Sequence, residues 1–300
     1  MGKILVVGSI NMDVTIFAGR IPSAGETITG TGFLLSPGGK GANQAVAAAR
    51  MDAETTMYGC VGDDVFGHEL LRSLGANGVD TRAVRTLDGV STGVASITVC
   101  GGDNRIILHA GANASVGFEP SLEPLIEASD ALLLQLEIPL ETVLAVINAA
   151  HKKGRMIFLT PAPAAALPEE LYAKVDYLLP NEGESSALLG REVVGEQDVY
   201  WALNRFRALG VAEPVITLGE RGVALFLDGQ PRILPAYRVK SVDTTAAGDT
   251  FTGALASSVI GGMALAEAVD FAQRAAAICV TRPGAQNAIP TREEVLRASF

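Results

Sequence analysis

The 300-residue chain is poor in basic residues: 23 Lys and Arg against 33 Asp and Glu give a formal charge of −10 at pH 7. It has no Lys/Arg-rich run, which excludes phosphate neutralisation along a nucleic acid as its main activity. An acidic balance does not exclude an anionic ligand, because oriented backbone amides can bind one locally. Its three cysteines, Cys60, Cys100 and Cys279, form neither a CxxC pair nor an even-numbered framework. Reduced, mostly buried thiols in a cytoplasmic protein are the expectation. The three histidines, His68, His109 and His151, lack metal-ligand spacing, which argues against a zinc site. No apolar run reaches the ~18 residues that span a bilayer, so no membrane partner is expected. The opening MGKILVVGSI turns polar too soon for a signal peptide and is expected to be a first strand. Aromatic residues, at 5%, speak weakly against a pocket that stacks a nucleoside base.

What is present suits a large core. Apolar residues make up 48% of the chain and charged residues 19%, enough for one large domain or two modest ones. Ile4–Val7 is a short apolar run closed by Gly8-Ser9, the pattern of a strand buried on both faces of a parallel sheet. Similar runs recur at 131–136, 156–159, 177–179 and 215–218, with helical patterns at 42–50, 140–153, 199–209 and 250–259. The alternation predicts an α/β fold, a mostly parallel sheet with helices on both faces. Two segments break the rhythm. Residues 14–36 carry no convincing helix, and residues 93–109 read as a hairpin turning at Gly101-Gly102-Asp103-Asn104. The two either form a small extra sheet that acts as a lid or are separate surface excursions. There are no internal repeats and no clear interdomain linker.

In an open parallel sheet, ligands bind beyond the carboxyl ends of the strands. Those ends offer Asn11 and Asp13, then Glu137, then Asn181, Glu182 and Glu184, then Thr217, Gly219 and Gly222. Singly, each fits a cap or a turn. Together they favour a polar small-molecule site. The stretch Asp243-Thr244-Thr245-Ala246-Ala247-Gly248-Asp249-Thr250 leads into a small-residue, apolar helix. Small residues at a helix entrance let a ligand approach the backbone, and the free N–H groups there suit an anion. Two roles fit Asp249: an N-cap, or a base beside a phosphoryl group in transit. Gly38-Gly39-Lys40-Gly41-Ala42-Asn43 is a second Gly-rich turn before a helix. It is not a Walker A loop, since position 34 is Leu and Gly41 follows the Lys. Nor does Gly8-Ser9-Ile10-Asn11 make a dinucleotide fingerprint, which removes a nicotinamide dehydrogenase.

These residues resemble the ribokinase family, of the phosphofructokinase-B type of sugar kinases. GGKGANQAVAAAR at 38–50 and DTTAAGDTFTGAL at 243–255 match its two signatures, with NEGE at 181–184 and TLGERG at 217–222 between them. The order and spacing hold over essentially the whole chain. The resemblance implies a ribokinase-like domain of residues 1–11, 37–92 and 110–300, with a β lid at 12–36 and 93–109 that also forms a homodimer contact. It implies that Asp249 is the base on the sugar hydroxyl and that the backbone of Ala246, Ala247 and Gly248 is the anion hole. It places Asn11, Asp13, Gly39, Lys40, Asn43 and Glu137 around the sugar. Asn181, Thr217, Leu218, Gly219, Glu220, Arg221, Gly222, Gly248 and Gln273 would line the ATP site, and Glu184 would help place Mg²⁺ through water. Asp243, with the carbonyls of Thr245, Cys279, Arg282 and Gly284, resembles the family's monovalent-cation (K⁺) site.

Two positions depart from the family pattern: Gln273 stands where some members carry His, and Ala288 where many carry Ser near the cation. Loss of that oxygen weakens the case for K⁺ unless water replaces it. For Lys40, contact with phosphate, solvation and pairing with an acid all remain open. Asn11 with Asp13 resembles members that act on D-ribose at O5, because an amide at position 11 can bond a 2-hydroxyl that deoxyribose lacks. The alternatives are another pentose, a ketohexose or a nucleoside as acceptor. A non-catalytic sugar sensor would be expected to have lost Asp249 or Gly248, and both are present.

Overall fold

The computed structural model describes residues 2–101 and 103–300. In chain order the first elements are β1 (Lys3–Val7), β2 (Asn11–Phe17), β3 (Gly32–Gly38), α1 (Lys40–Arg50), β4 (Glu54–Gly62), α2 (Val65–Ala76), β5 (Val84–Leu87), β6 (Gly93–Cys100) and β7 (Asp103–His109). There follow α3 (Leu122–Ala128), β8 (Ala131–Leu134), α4 (Leu140–Lys152), β9 (Met156–Leu159), α5 (Glu169–Tyr172), β10 (Tyr177–Leu178), α6 (Glu182–Leu189), α7 (Glu196–Ala208), β11 (Glu213–Pro214) and β12 (Ile216–Thr217). The last are β13 (Val223–Leu227), β14 (Gln230–Leu234), α8 (Ala247–Ile260), α9 (Leu265–Cys279) and α10 (Arg292–Arg297).

Seven strands form one sheet in the order β11-β10-β9-β8-β1-β4-β5, every pair parallel. Strand β1, interior to the sheet, shows why the opening run is continuously apolar. Ile4 and Val6 enter a core with α1, α8 and α9 on one face, and Leu5 and Val7 enter a second core with α4 and α7 on the other. Burying each such side chain contributes roughly 1.5–3 kcal/mol, so both faces need helices. The α/β expectation holds.

Small residues bring α1 and α8 together. Gly253 packs where an added Cβ would lie 2.5 Å from Ala47 Cβ and 2.8 Å from the Ala48 N. This close approach carries the start of α8 up to the turn before α1. The run at 215–218 is not one strand as expected. Glu213–Pro214 closes the large sheet, and Ile216–Thr217 opens a separate antiparallel sheet, β12-β13-β14.

Residues 14–36 and 93–109 do combine. They form a four-stranded sheet in the order β3-β2-β6-β7, with β2 antiparallel to β3 and parallel to β6, and β6 antiparallel to β7. Of the hairpin turn expected at 101–104, Gly102 lies outside the described residues. One face of this sheet carries Asn11 and Asp13. The other presents Val14, Ile16, Phe33, Leu35 and Ile107, with Phe33 64% and Ile107 77% exposed. Among the described residues, no helix is long and apolar enough to cross a membrane.

Candidate active site

The site lies at the carboxyl ends of the large sheet's strands, where Ser9 follows β1, Gln135 and Glu137 follow β8, Thr160 follows β9 and Asn181 follows β10. Asn11 and Asp13 sit within β2 rather than in the loop after β1, and the period-2 alternation puts both on one face. Their register partners are Gly38 and Ser36. A side chain at Gly38 would collide with the Asp13 carboxylate. Gly39 adopts φ +90° and leaves no room for a Cβ, which would lie 2.7 Å from the Asn11 N, so the turn needs glycine at both positions.

Asn11 is held by a residue the sequence did not single out. Asn113, itself buried, donates from Nδ2 to Asn11 Oδ1 at 2.7 Å and accepts from the Ile10 N–H at 2.9 Å. The Asn11 oxygen is thereby engaged, and its NH₂ is the end left to meet a ligand. Glu137 Oε2 accepts from Ser9 Oγ at 2.5 Å and from the Lys40 N–H at 3.1 Å, so the carboxylate braces the Gly-rich turn.

Asp249 is not the N-cap of α8. Ala246 takes that position in the left-handed region, at φ +61°, with no side-chain cap bond, a backbone strain typical of functional turns. Asp249 stands in the first turn, buried, with one amide on each carboxylate oxygen. Asn43 Nδ2 donates to Oδ2 and Gln44 Nε2 to Oδ1, both at 3.0 Å. Asn43 Oδ1 is buried and, among the described residues, has no donor. Of the three amides expected to form an anion hole, that of Ala247 donates to the Thr244 carbonyl at 3.2 Å. Among the described residues, the Ala246, Gly248 and Asp249 N–H groups have no acceptor. A Cβ on Gly248 would meet nothing within 4 Å, so the space beside those amides is open.

Charge is concentrated around this point. Burial, then the neighbouring Glu137 and Asp249, push the Asp13 carboxyl up to about 7, against the opposing Lys40 ammonium. Burial disfavours the charge on Lys40, but Asp249, Glu137, Glu184 and Asp13 outweigh it and raise its pKa. Lys40 thus stands charged amid four acids, and among the described residues it makes no ion pair with any of them. Burial raises the Glu184 carboxyl as well, with Asp249 adding to it and the Asn181 N–H and Lys40 opposing.

Asn181 and Glu184 form a capping box at α6: each side chain accepts from the other's backbone N–H at 2.8 Å. Asn181 also bridges to Thr217, which brings the NEGE and TLGERG segments side by side. Arg221 pairs with Glu182. Leu218 turns its side chain into the core, leaving only its backbone for a ligand. Gly219 and Gly222 hold positive φ, and Gly222 has no space for a Cβ. Glu220 is exposed on the loop. Gln273 on α9 is buried, and among the described residues its Oε1 lacks a donor.

Asp243 ties the Ala-Ala-Gly turn to the loop after α9. Its Oδ1 accepts from the Thr245 N–H at 2.9 Å and Oγ1 at 2.6 Å, and its Oδ2 from the Gly284 N–H at 2.9 Å. The Cys279 carbonyl accepts from the Arg282 N–H at 3.1 Å. Among the described residues, no group of three or more His, Cys, Asp or Glu side chains could hold a metal ion alone.

Ser9, Gln44, Asn113, Gln135 and Thr160 are site residues that sequence reasoning missed. Two had a signal: Gln44 lies inside the GGKGANQ motif, and Gln135 is the one polar residue in the run at 131–136.

The arrangement is a buried carboxylate facing open backbone amides, with polar groups on one side and glycine loops on the other. Comparison with known proteins adds the family. Residues 1–292 match the pfkB family of carbohydrate kinases. A ribokinase of Haemophilus influenzae is 41% identical over 97% of this chain and 96% of its own length. One of Bacillus subtilis is 42% identical over 98% of each. The solved structure of Arabidopsis thaliana ribokinase complexed with ribose and ATP superposes with a TM-score of 0.93 at 34% identity, over 99% of both chains. The chain belongs to the pfkB family of carbohydrate kinases. It is a phosphotransferase whose acceptor is a sugar hydroxyl, and its fold is ribokinase-like.

Proposed function

We propose that this kinase transfers the γ-phosphoryl group of ATP to the 5-hydroxyl of D-ribose. The observation that carries the reading is Asp249, held from both sides by Asn43 and Gln44 beside backbone amides that have no acceptor. Its carboxylate takes the hydroxyl proton as the new O–P bond forms. The amides of Ala246 and Gly248 meet the charge that develops on the phosphoryl oxygens. The Ala247 amide would join them on leaving Thr244. Lys40, charged and unpaired, adds a cation that neutralises the phosphate.

Asn11, with its NH₂ free, is suited to the 2-hydroxyl, and Asp13 shares that face of β2. Gly39, Asn43 and Glu137 complete the sugar side. Asn181, Thr217, the 218–222 loop and Gln273 are suited to the nucleotide. Mg²⁺ would be held mainly by the phosphates, shielding their charge, with Glu184 reaching it through water, which suits an ion that keeps its own waters. Asp243 and the carbonyls of Thr245, Cys279, Arg282 and Gly284 offer an oxygen-rich setting for a monovalent cation, which would stiffen the loop that carries the amides.

The four-stranded sheet, residues 12–36 and 93–109, acts as a lid on the domain formed by 1–11, 37–92 and 110–300. Its exposed apolar face supports a homodimer made through the lid. A cytoplasmic setting agrees with three free cysteines. The test is release of ADP with ribose, deoxyribose, fructose, tagatose or adenosine as acceptor, each with and without K⁺. Ribose should lead. Faster turnover of deoxyribose would contradict the role given to Asn11.

A further inference from the structure

Gln135 follows β8 in a run that is otherwise apolar, and it is completely buried. Its Nε2 donates to Gln44 Oε1 at 2.7 Å. Gln44, equally buried, uses Nε2 twice, towards Asp249 Oδ1 at 3.0 Å and Thr160 Oγ1 at 3.2 Å. Both ends of the Gln44 amide are therefore assigned. Turned over, it would set its oxygen against the Asp249 carboxylate and its NH₂ against that of Gln135.

Gln135 gains little for itself. Among the described residues its Oε1 has no donor, and it lies where any side chain on Gly8 would collide with it. An apolar residue of similar size would remove that unmet oxygen but strip Gln44 Oε1 of its donor, so what the amide at 135 supplies is the partner that orients Gln44.

We propose that Gln135 is a positioning residue for the phosphoryl transfer. By donating to Gln44 it fixes which face of that amide meets Asp249, and so holds the carboxylate in line with the sugar hydroxyl. The proposal rests on Asp249 being the base.

The experiment compares Gln135→Glu and Gln135→Met with wild type and with Asp249→Asn across pH. When ionised, the new carboxylate only accepts, so Gln44 must turn its NH₂ away from Asp249. When protonated, its hydroxyl donates and the native arrangement returns. Burial favours the protonated form. The charged neighbours on the packed elements are Asp249 on α8, Lys40 at the start of α1 and Glu137 two residues further along.

In Gln135→Glu, kcat should fall on the order of tenfold to a hundredfold at alkaline pH while KM for the sugar changes little. The deficit relative to wild type should close from about pH 9 to about pH 6 as the acid protonates. Gln135→Met, which conserves volume, should lose kcat without that recovery. Wild-type kcat in both variants, or a Gln135→Glu to wild-type ratio that stays flat with pH, overturns the relay if Asp249→Asn is inactive. An active Asp249→Asn overturns the base assignment itself, and the relay with it.

Discussion

Asn43 and Asp249 stand 206 positions apart in the chain and are joined by a 3.0 Å hydrogen bond from the Asn43 amide to Oδ2. The bond depends on how closely α1 and α8 pack, and it ties the start of α1 to the first turn of α8. Replacing Asn43 by Leu keeps the branched shape and removes both the donor and the unpartnered acceptor. We expect KM for the sugar to rise and kcat to fall, each on the order of tenfold to a hundredfold, as steady-state kinetics would reveal. Unchanged constants would mean that neither end of the amide meets the substrate.

Gly253 sets the distance between those helices. In Gly253→Ala the new methyl would press on Ala47 and on the Ala48 and Gln44 backbone. Overpacking of this kind costs roughly 1–3 kcal/mol, to be read as a lowered urea midpoint. Activity should fall as well, because the same displacement moves Asp249 away from Asn43.

Asp13 makes stability depend on pH. Its folded pKa, about 7, lies above the ordinary 3.8 because of burial and then the acids Glu137 and Asp249. Below the ordinary value the carboxyl is neutral in both states and costs nothing. As pH rises through this window the unfolded chain ionises first, so the fold loses stability until the native carboxyl has also ionised. Asp13→Asn should be more stable than wild type by a margin that grows between about pH 4 and about pH 7 and is then constant, while sugar binding weakens. A margin that does not vary with pH in urea titrations would remove Asp13 from the buried charge cluster.

The fold was more legible in the sequence than the site. Runs such as Ile4–Val7 and Met156–Leu159 carry their burial openly, and the motifs at 38–50 and 243–255 bring the Gly-rich turn and Asp249 into view. β4 was not read, because Thr55, Thr56, Gly59 and Cys60 interrupt its apolar character. The run at 215–218 hides a change of sheet that only the pairing of Ile216 with Ala224 reveals. Asn113 and Gln135 act through side-chain contacts between distant segments, and no local pattern encodes which end of a buried amide faces its partner. Asp249 read equally as cap or base until Ala246 proved to occupy the cap position.

The exposed apolar face of the four-stranded sheet gives a prediction about assembly. Phe33 and Ile107 are among its most exposed side chains. The double substitution Phe33→Lys and Ile107→Lys should shift the protein towards monomer in sedimentation velocity and leave its circular dichroism spectrum nearly unchanged. A monomeric wild type at micromolar concentration would rule out the proposed lid contact.

The most direct test of the account is turnover and sugar binding in Asp249→Asn. The account predicts a loss of kcat on the order of a hundredfold to ten-thousandfold, with ribose still bound in calorimetry at close to wild-type affinity. Turnover near the wild-type rate would contradict it.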